Sequence, residues 1–305
     1  MKIFRVAVLV LALAVPAVVR AVPNACGFLS NPPRHYAHVI WIWMENHSTD
    51  TIIGSPAAPF FNDLANSCGL ATNYHNITHP SLPNYIGATS GLRLSALEPF
   101  FGDCDPTGDC TTTAPSIFSQ VPSWKAYEES MTTNCEPMND GQYAVRHNPP
   151  PYFTTLTGCS QFDVPYTELQ TDLDNDTLPA FAFITPDICD DIHSCPVTAG
   201  DTWLSTEVPK ILASNAYQSG QTVLFITFDE GSLGIFIGRD CANNTTQRSC
   251  DIPTIVVSPY TPTGVTSDRL FNHYSLLRTT EQLLGIRKHL GLARKARTMR
   301  RAFNL

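Results

Sequence analysis

The sequence predicts an α/β fold with a mostly parallel central sheet and helices on both faces. Two observations carry that prediction. Four short apolar or β-branched runs are continuous enough to be strands buried on both faces, and amphipathic segments at helical spacing alternate with them. A third bounds the domain count. Gly, Ser and Pro are scattered, there is no repeat, and "TTTAPS" is the longest low-complexity tract, so no linker divides the body.

In chain order, "HVIWIWM" (38–44) is the first strand, and "APFFNDLANS" places Phe60, Phe61, Leu64 and Ala65 on one helical face. The Cys-, Pro- and Thr-rich stretch from about 100 to 170 reads as an insertion covering one edge. "FAFIT" (181–185), "TVLFITF" (222–228) and "PTIVVS" (253–258) are further strands. "DTWLSTEVPKILASNAY" and "FNHYSLLRTTEQLLG" are helices, the second stopping at Gly285. The expected organisation is a signal peptide over 1–21, a single domain over 22–286 and a basic tail over 287–305.

The leader rests on Lys2 and Arg5, an apolar run from Val6 to Val19 and a small-residue cleavage site around Ala21. Ten cysteines with no C-x-x-C pair support export to an oxidising compartment and argue against a thiolate zinc or redox site. Close spacing suggests Cys104 with Cys110, Cys189 with Cys195 and Cys241 with Cys250. Cys26, Cys68, Cys135 and Cys159 are left over, and sequence leaves the connectivity open. Glycan acceptor triplets begin at Asn46, Asn76, Asn175, Asn243 and Asn244.

Charge is uneven. Residues 22–286 hold nine Lys or Arg against all twenty-seven Asp and Glu, whereas "RKHLGLARKARTMRR" carries seven positive charges and no negative one. The acidic body argues against nucleic acid as the main partner; a basic tail can bind nucleic acid or anionic lipid, and the favoured reading is a solvated, partly frayed terminus. No stretch beyond the leader is long and apolar enough for a membrane span.

In open α/β sheets, sites gather beyond the carboxyl ends of the strands. Here "HVIWIWM" runs into Glu45 and Asn46, "TVLFITF" into Asp229 and Glu230, and "FAFIT" into Asp187 and "CDDIHSC". Glu45, Asn46, Asp229 and Glu230 are hard oxygen donors suited to one divalent cation such as Ca²⁺, Mg²⁺ or Mn²⁺. "THPSLPNY" (78–85) fixes Ser81 between prolines at the start of a helix, where backbone N–H groups favour an anion such as phosphate. Ser81 is the expected nucleophile, with His79 and Asn84 as substrate-binding neighbours. The Cys189–Cys195 loop presents Asp191 and His193, and His193 can protonate a leaving alkoxide. His147 is a weaker catalytic candidate, and His273 lies behind the site at most.

Taken together, "HVIWIWMENHSTDTIIG", "THPSLPNYIGATSG", "ITPDICDDIHS", "TFDEG" and "IPTIVVSP" resemble the phosphoesterase family of bacterial phospholipases C and secreted acid phosphatases. The branch that the chain most resembles is that of the mycobacterial secreted acid phosphatase, which acts on phosphoinositides. The resemblance implies an alkaline-phosphatase-like fold and a cation held by Glu45, Asn46, Asp229 and Glu230. It also implies Ser81 as nucleophile, with Asn84, Asp191, His193 and His147 at matching places. His47 stands where the family often has Arg, and the Cys-bracketed acid loop departs from several relatives.

The expected function is a secreted, metal-dependent phosphatase that hydrolyses phosphomonoesters through a phosphoserine, on a phosphorylated small molecule or a phosphoinositide. The same chemistry on a diester, as in a phospholipase C, is the first alternative, and chain length leans away from it. A Ser-His-Asp esterase built from Ser81, His193 and Asp191 lacks a G-x-S-x-G elbow. A secreted metal-binding module without turnover is the non-enzymatic alternative.

Overall fold

The structure, a computed structural model, describes residues 25–232, 237–243 and 246–305. The expected leader and the acceptor Asn244 lie outside these residues. The described residues form ten strands: β1 (His38–Met44), β2 (Gly69–Ala71), β3 (Tyr74–His75), β4 (Trp124–Glu128), β5 (Asp163–Pro165), β6 (Phe181–Thr185), β7 (Thr222–Phe228), β8 (Thr254–Val257), β9 (Val265–Ser267) and β10 (Phe271–Asn272). Eight make one sheet in the order β5-β4-β6-β1-β7-β8-β2-β9, and β10 pairs with β3 apart from it. From β5 to β7 every pairing is parallel, while β8 runs antiparallel to both its neighbours.

β1 is central, and its composition explains why. Residues Val39 to Met44 are at most 1% exposed, so both faces must be covered. On one face Trp41 donates from Nε1 to Thr280 Oγ1 at 2.9 Å, and Trp43 packs on Tyr85 and stacks on His273. The helices Ser81–Ser90 and His273–Leu283 therefore lie on that side. Alternation sends Met44 to the other face, among Phe61, Leu204 and Phe228, beneath the helices Pro59–Ser67 and Val197–Ala213. Each buried Trp or Phe here contributes roughly 2–3 kcal/mol of apolar burial. Asp201 ties the two helices of this face together by accepting from the Phe60 and Phe61 backbone N–H groups.

The segment from 100 to 170 is woven into the sheet. It supplies β4 and β5, so it extends the edge rather than lying over it. Five disulfides close, Cys26–Cys68, Cys104–Cys110, Cys135–Cys159, Cys189–Cys195 and Cys241–Cys250, and the described residues hold no free cysteine.

The basic tail is packed where the sequence reading expected fraying. Leu290, Ala293, Met299, Phe303 and Leu305 are buried, and the Leu292 N–H donates to the carbonyl of Gly91. Gly91, at φ +72°, ends the Ser81 helix, and a Cβ there would collide with the Leu290 backbone. The apolar residues anchor the segment while its cations stay at the surface. No helix of the described residues is long and apolar enough to cross a membrane.

Candidate active site

Three parallel strands end on one rim, and each end delivers polar side chains there. β1 gives way to Glu45 and Asn46, β7 to Asp229 and Glu230, and β6 to the loop holding Asp191 and His193. Backbone hydrogen bonds lock the three ends together: the Glu45 N–H donates to Asp191 O at 2.9 Å, and the Asp229 N–H to Met44 O at 2.9 Å. Asn46 sits at φ +56°, in the left-handed region that Asn tolerates better than most residues. From there its N–H donates to Asp229 Oδ1 at 2.9 Å and its amide nitrogen to Glu45 Oε2 at 3.0 Å.

Ser81 opens the helix Ser81–Ser90, and its hydroxyl donates to Glu45 Oε2 at 3.1 Å. One turn later Tyr85 donates to the other oxygen, Glu45 Oε1, at 2.5 Å. The i, i+4 spacing puts both hydroxyls on the helix face that looks at Glu45. His147 lies flat against the Tyr85 ring and bridges two acids, with Nε2 3.3 Å from Glu45 Oε1 and Nδ1 3.0 Å from Asp191 Oδ2. Glu45, His147 and Asp191 thereby form a convergent donor set, which shares Glu45 with the ligands expected from sequence and brings in an imidazole and a fourth acid. His79 Nδ1 lies 2.9 Å from Glu230 Oε2, and His273 Nε2 lies 2.8 Å from the Asp229 carbonyl, behind the site.

The electrostatics of this cluster suit a cation. Glu45, Asp191 and Asp229 are fully buried, and Glu230 is 7% exposed. Burial first, and repulsion from Asp229 and Asp191 second, push the Glu45 carboxyl well above its usual range. Burial pushes Asp229 up to about 7, and Glu230 and Asp191 rise for the same reason, with Asp229 adding repulsion to each. Their imidazole neighbours are no remedy: burial lowers His79 to about 4 and holds His147 well below its ordinary value. Asp229 Oδ2 is buried without a well-formed hydrogen bond. An oxygen-rich group of buried acids with an orphaned carboxylate oxygen fits a hard divalent ion, which would return all four acids to their charged form.

Two expectations meet a different geometry. Asn84 spends its whole amide on the turn before Ser81: Oδ1 accepts from the N–H groups of Ile77 and Thr78, and Nδ2 donates to the carbonyls of Thr78 and Pro80. It shapes the turn, which includes the cis His79–Pro80 peptide, and has no donor left for a substrate. The N-terminus of the Ser81 helix, expected to hold an anion, already holds one. Asp103 Oδ1 accepts from the Leu82 N–H at 2.9 Å.

The Asp191–His193 loop is under strain. Ile192, between the two, has φ +70°, costly for a β-branched residue. The Cys189–Cys195 disulfide brackets it, and Gly200 leaves room for its side chain. Asp191 Oδ1 accepts from the His193 N–H at 2.7 Å, and the His193 ring is exposed at the mouth.

Arg146 escaped the sequence reading. Its Nη2 donates to His193 Nε2 at 3.1 Å, next to His147 in the chain. Asp103, Asp191 and His193 all sense its charge. A lone Arg in "YAVRHNP" has no distinctive spacing, and its adjacency to His147 was the one available signal.

Of the glycan acceptors, Asn76 is fully buried with Nδ2 bonded to Thr78 O, and Asn46 is part of the site, so neither can carry a glycan in the folded chain. Asn175 and Asn243 are exposed.

The Phosphoesterase family profile matches residues 55–287. A phosphatidylinositol-3-phosphatase of Mycobacterium tuberculosis is 26% identical over 275 residues, covering 88% of this chain and 84% of its own length. An acid phosphatase of Aspergillus fumigatus is 26% identical over 261 residues, covering 80% of this chain and 54% of its own length, so the chain spans about half of that relative. Among solved structures, a protein in the alkaline phosphatase superfamily from Vibrio parahaemolyticus superposes with a TM-score of 0.54 at 12% identity, over 86% of this chain and 68% of that one. At that identity the likeness is one of fold, and the α/β architecture is shared.

Proposed function

This chain belongs to the phosphoesterase family, and from that premise we propose that it is a secreted, metal-dependent phosphatase hydrolysing phosphomonoesters through a phosphoserine on Ser81. The observation that carries the reading is the Ser81 hydroxyl held on Glu45 Oε2 within a group of four buried acids. The names of the relatives point to phosphorylated small molecules or phosphoinositides as the substrate class.

Glu45, Asn46, Asp229 and Glu230 would hold a divalent cation, which when bound would offset the acids and stabilise negative charge on phosphoryl oxygens. The remaining work falls to side chains. Ser81 Oγ attacks phosphorus in line, and its proton passes to Glu45 Oε2, the atom to which it already donates. Tyr85 and His147 hold the other Glu45 oxygen and so fix the acceptor. Arg146 faces the phosphoryl oxygens from the mouth and leaves His193 Nε2 as it does so, and that exposed nitrogen takes a proton from solvent and passes it to the departing alkoxide. In the second half-reaction a water attacks the phosphoserine, His193 Nε2 takes its proton, Glu45 Oε2 returns its proton to the departing Ser81 Oγ, and phosphate leaves with the Ser81 hydroxyl restored.

The test is covalent trapping. Acid-quenching the enzyme during turnover and mapping the phosphate by mass spectrometry should place it on Ser81. Quenched active enzyme with Ser81 unmodified under saturating substrate would contradict the route.

A further inference from the structure

A cleft of about 450 Å³ lies at the end of the sheet remote from the acids. Arg34 and His35, on the segment that leads into β1, form one wall, and Glu45 lies beyond the far end of that strand. Seven residues of strand separate the two ends by roughly 20 Å. The other wall comes from the end of the His273–Leu283 helix and the basic segment after it, with Gln282, Arg287, His289 and Arg300.

Three features set this cleft apart from ordinary surface charge. Two of its guanidinium groups, those of Arg34 and Arg287, have no carboxylate partner: among the described residues the ion pair nearest the cleft is His289 Nδ1 with Glu281 Oε2 at 2.8 Å, and none involves either arginine. Arg300 is fixed in advance, donating from Nε to Leu305 O at 3.1 Å and from Nη2 to Arg34 O at 3.2 Å. The wall itself is anchored by the buried Leu290, Ala293, Met299 and Phe303, in a segment with seven cations and no acid over 287–305. A chain with a net charge of −8 thus concentrates unneutralised arginines around one concavity. Planar guanidinium forks match tetrahedral oxyanions, and several around one space match several oxyanions on one compact ligand.

We propose that this cleft is a second binding site, separate from the catalytic centre, for a compact oligoanion bearing two or more phosphate or sulfate groups. The ligand is retained at the opposite pole from Ser81, so its binding leaves the acid-lined mouth open to substrate.

The probe is myo-inositol hexakissulfate, titrated calorimetrically into the full protein. Arg34→Glu/Arg287→Glu changes two exposed side chains that make no hydrogen bond, and Arg269→Glu, exposed and outside the cleft, is the matched control. Wild type should bind at one site, the double variant at least about tenfold more weakly, and the control unchanged. Turnover of p-nitrophenyl phosphate should be the same in all three. Arg34→Ala/Arg287→Ala, checked by circular dichroism, guards against misfolding and should also bind more weakly. Co-sedimentation with phosphatidylglycerol vesicles that is lost in the double variant places the oligoanion on a lipid surface, whereas probe binding without vesicle binding places it in solution. Absence of binding to wild type, equal affinity in the double variant, or equal weakening by Arg269→Glu would overturn the proposal.

Discussion

Nη2 of Arg146 donates to Nε2 of His193 at 3.1 Å, and among the described residues no carboxylate lies within ion-pair distance of that guanidinium. With Nε2 accepting, the His193 proton sits on Nδ1, which donates to Ser194 Oγ at 3.0 Å. In the proposed route this tautomer can protonate a leaving group only after Arg146 has moved to the substrate and Nε2 has taken up a proton. Arg146→Ala should therefore lower kcat/KM by about 10- to 100-fold, the worth of one or two charged hydrogen bonds. Arg146→Lys should recover part of the loss. Steady-state kinetics on p-nitrophenyl phosphate checks this, and wild-type kinetics in Arg146→Ala would remove Arg146 from the mechanism.

Asn84 is predicted to act on stability before activity. Replacing it by Ala leaves the buried N–H groups of Ile77 and Thr78 without their acceptor, at a cost of roughly 2–4 kcal/mol. Thermal unfolding should show a lower Tm alongside reduced turnover. Lost turnover with an unchanged Tm would instead indicate direct contact with substrate.

Gly200 is a lever on the Asp191–His193 loop. A Cβ there would collide with Ile192 Cγ2 and press on the Asp190 carbonyl and Met44. Gly200→Ala should push Ile192 out of its strained position and carry Asp191 and His193 with it. The expected readout is a fall of about tenfold or more in kcat. An unaffected kcat would show that the loop tolerates displacement.

Stability should depend on pH through a pair of acids away from the rim. Burial pushes Asp163 up to about 8, and Glu128, buried beside it, rises through burial and the repulsion of Asp163. The folded chain keeps a proton there that the unfolded chain loses near pH 4, so this stabilisation is complete below that pH and is lost as pH rises towards about 8. Urea unfolding across this window should show stability falling as pH rises. Asp163→Asn, with its Asn148 contact retained in altered form, should flatten the dependence. A slope that survives the substitution would assign it to other groups.

Much of the site was legible because its donors sit at strand ends. β1, β6 and β7 are apolar runs that stop at acids, and parallel packing carries all three stops to one rim. Ser81 was legible from its two flanking prolines. Tyr85 was missed although it lies four residues on, on the same helical face, because its hydrogen bond to Glu45 depends on the end of a strand 40 residues earlier. Asp103 and Arg146 come from loops, where side-chain direction follows from tertiary packing and no periodicity announces it. In the tail the run of cations concealed Leu290, Ala293, Met299 and Phe303, whose burial holds it down.

Ser81, set among acids that would hold a divalent cation, is the proposed nucleophile of a phosphomonoesterase. The most direct measurement is hydrolysis of p-nitrophenyl phosphate by wild type and Ser81→Ala, each with and without a chelator, with folding followed by circular dichroism. Chelation should abolish wild-type turnover and a divalent cation should restore it, and folded Ser81→Ala should lose about a thousandfold or more. Turnover that survives thorough chelation, or that persists in Ser81→Ala, would contradict it.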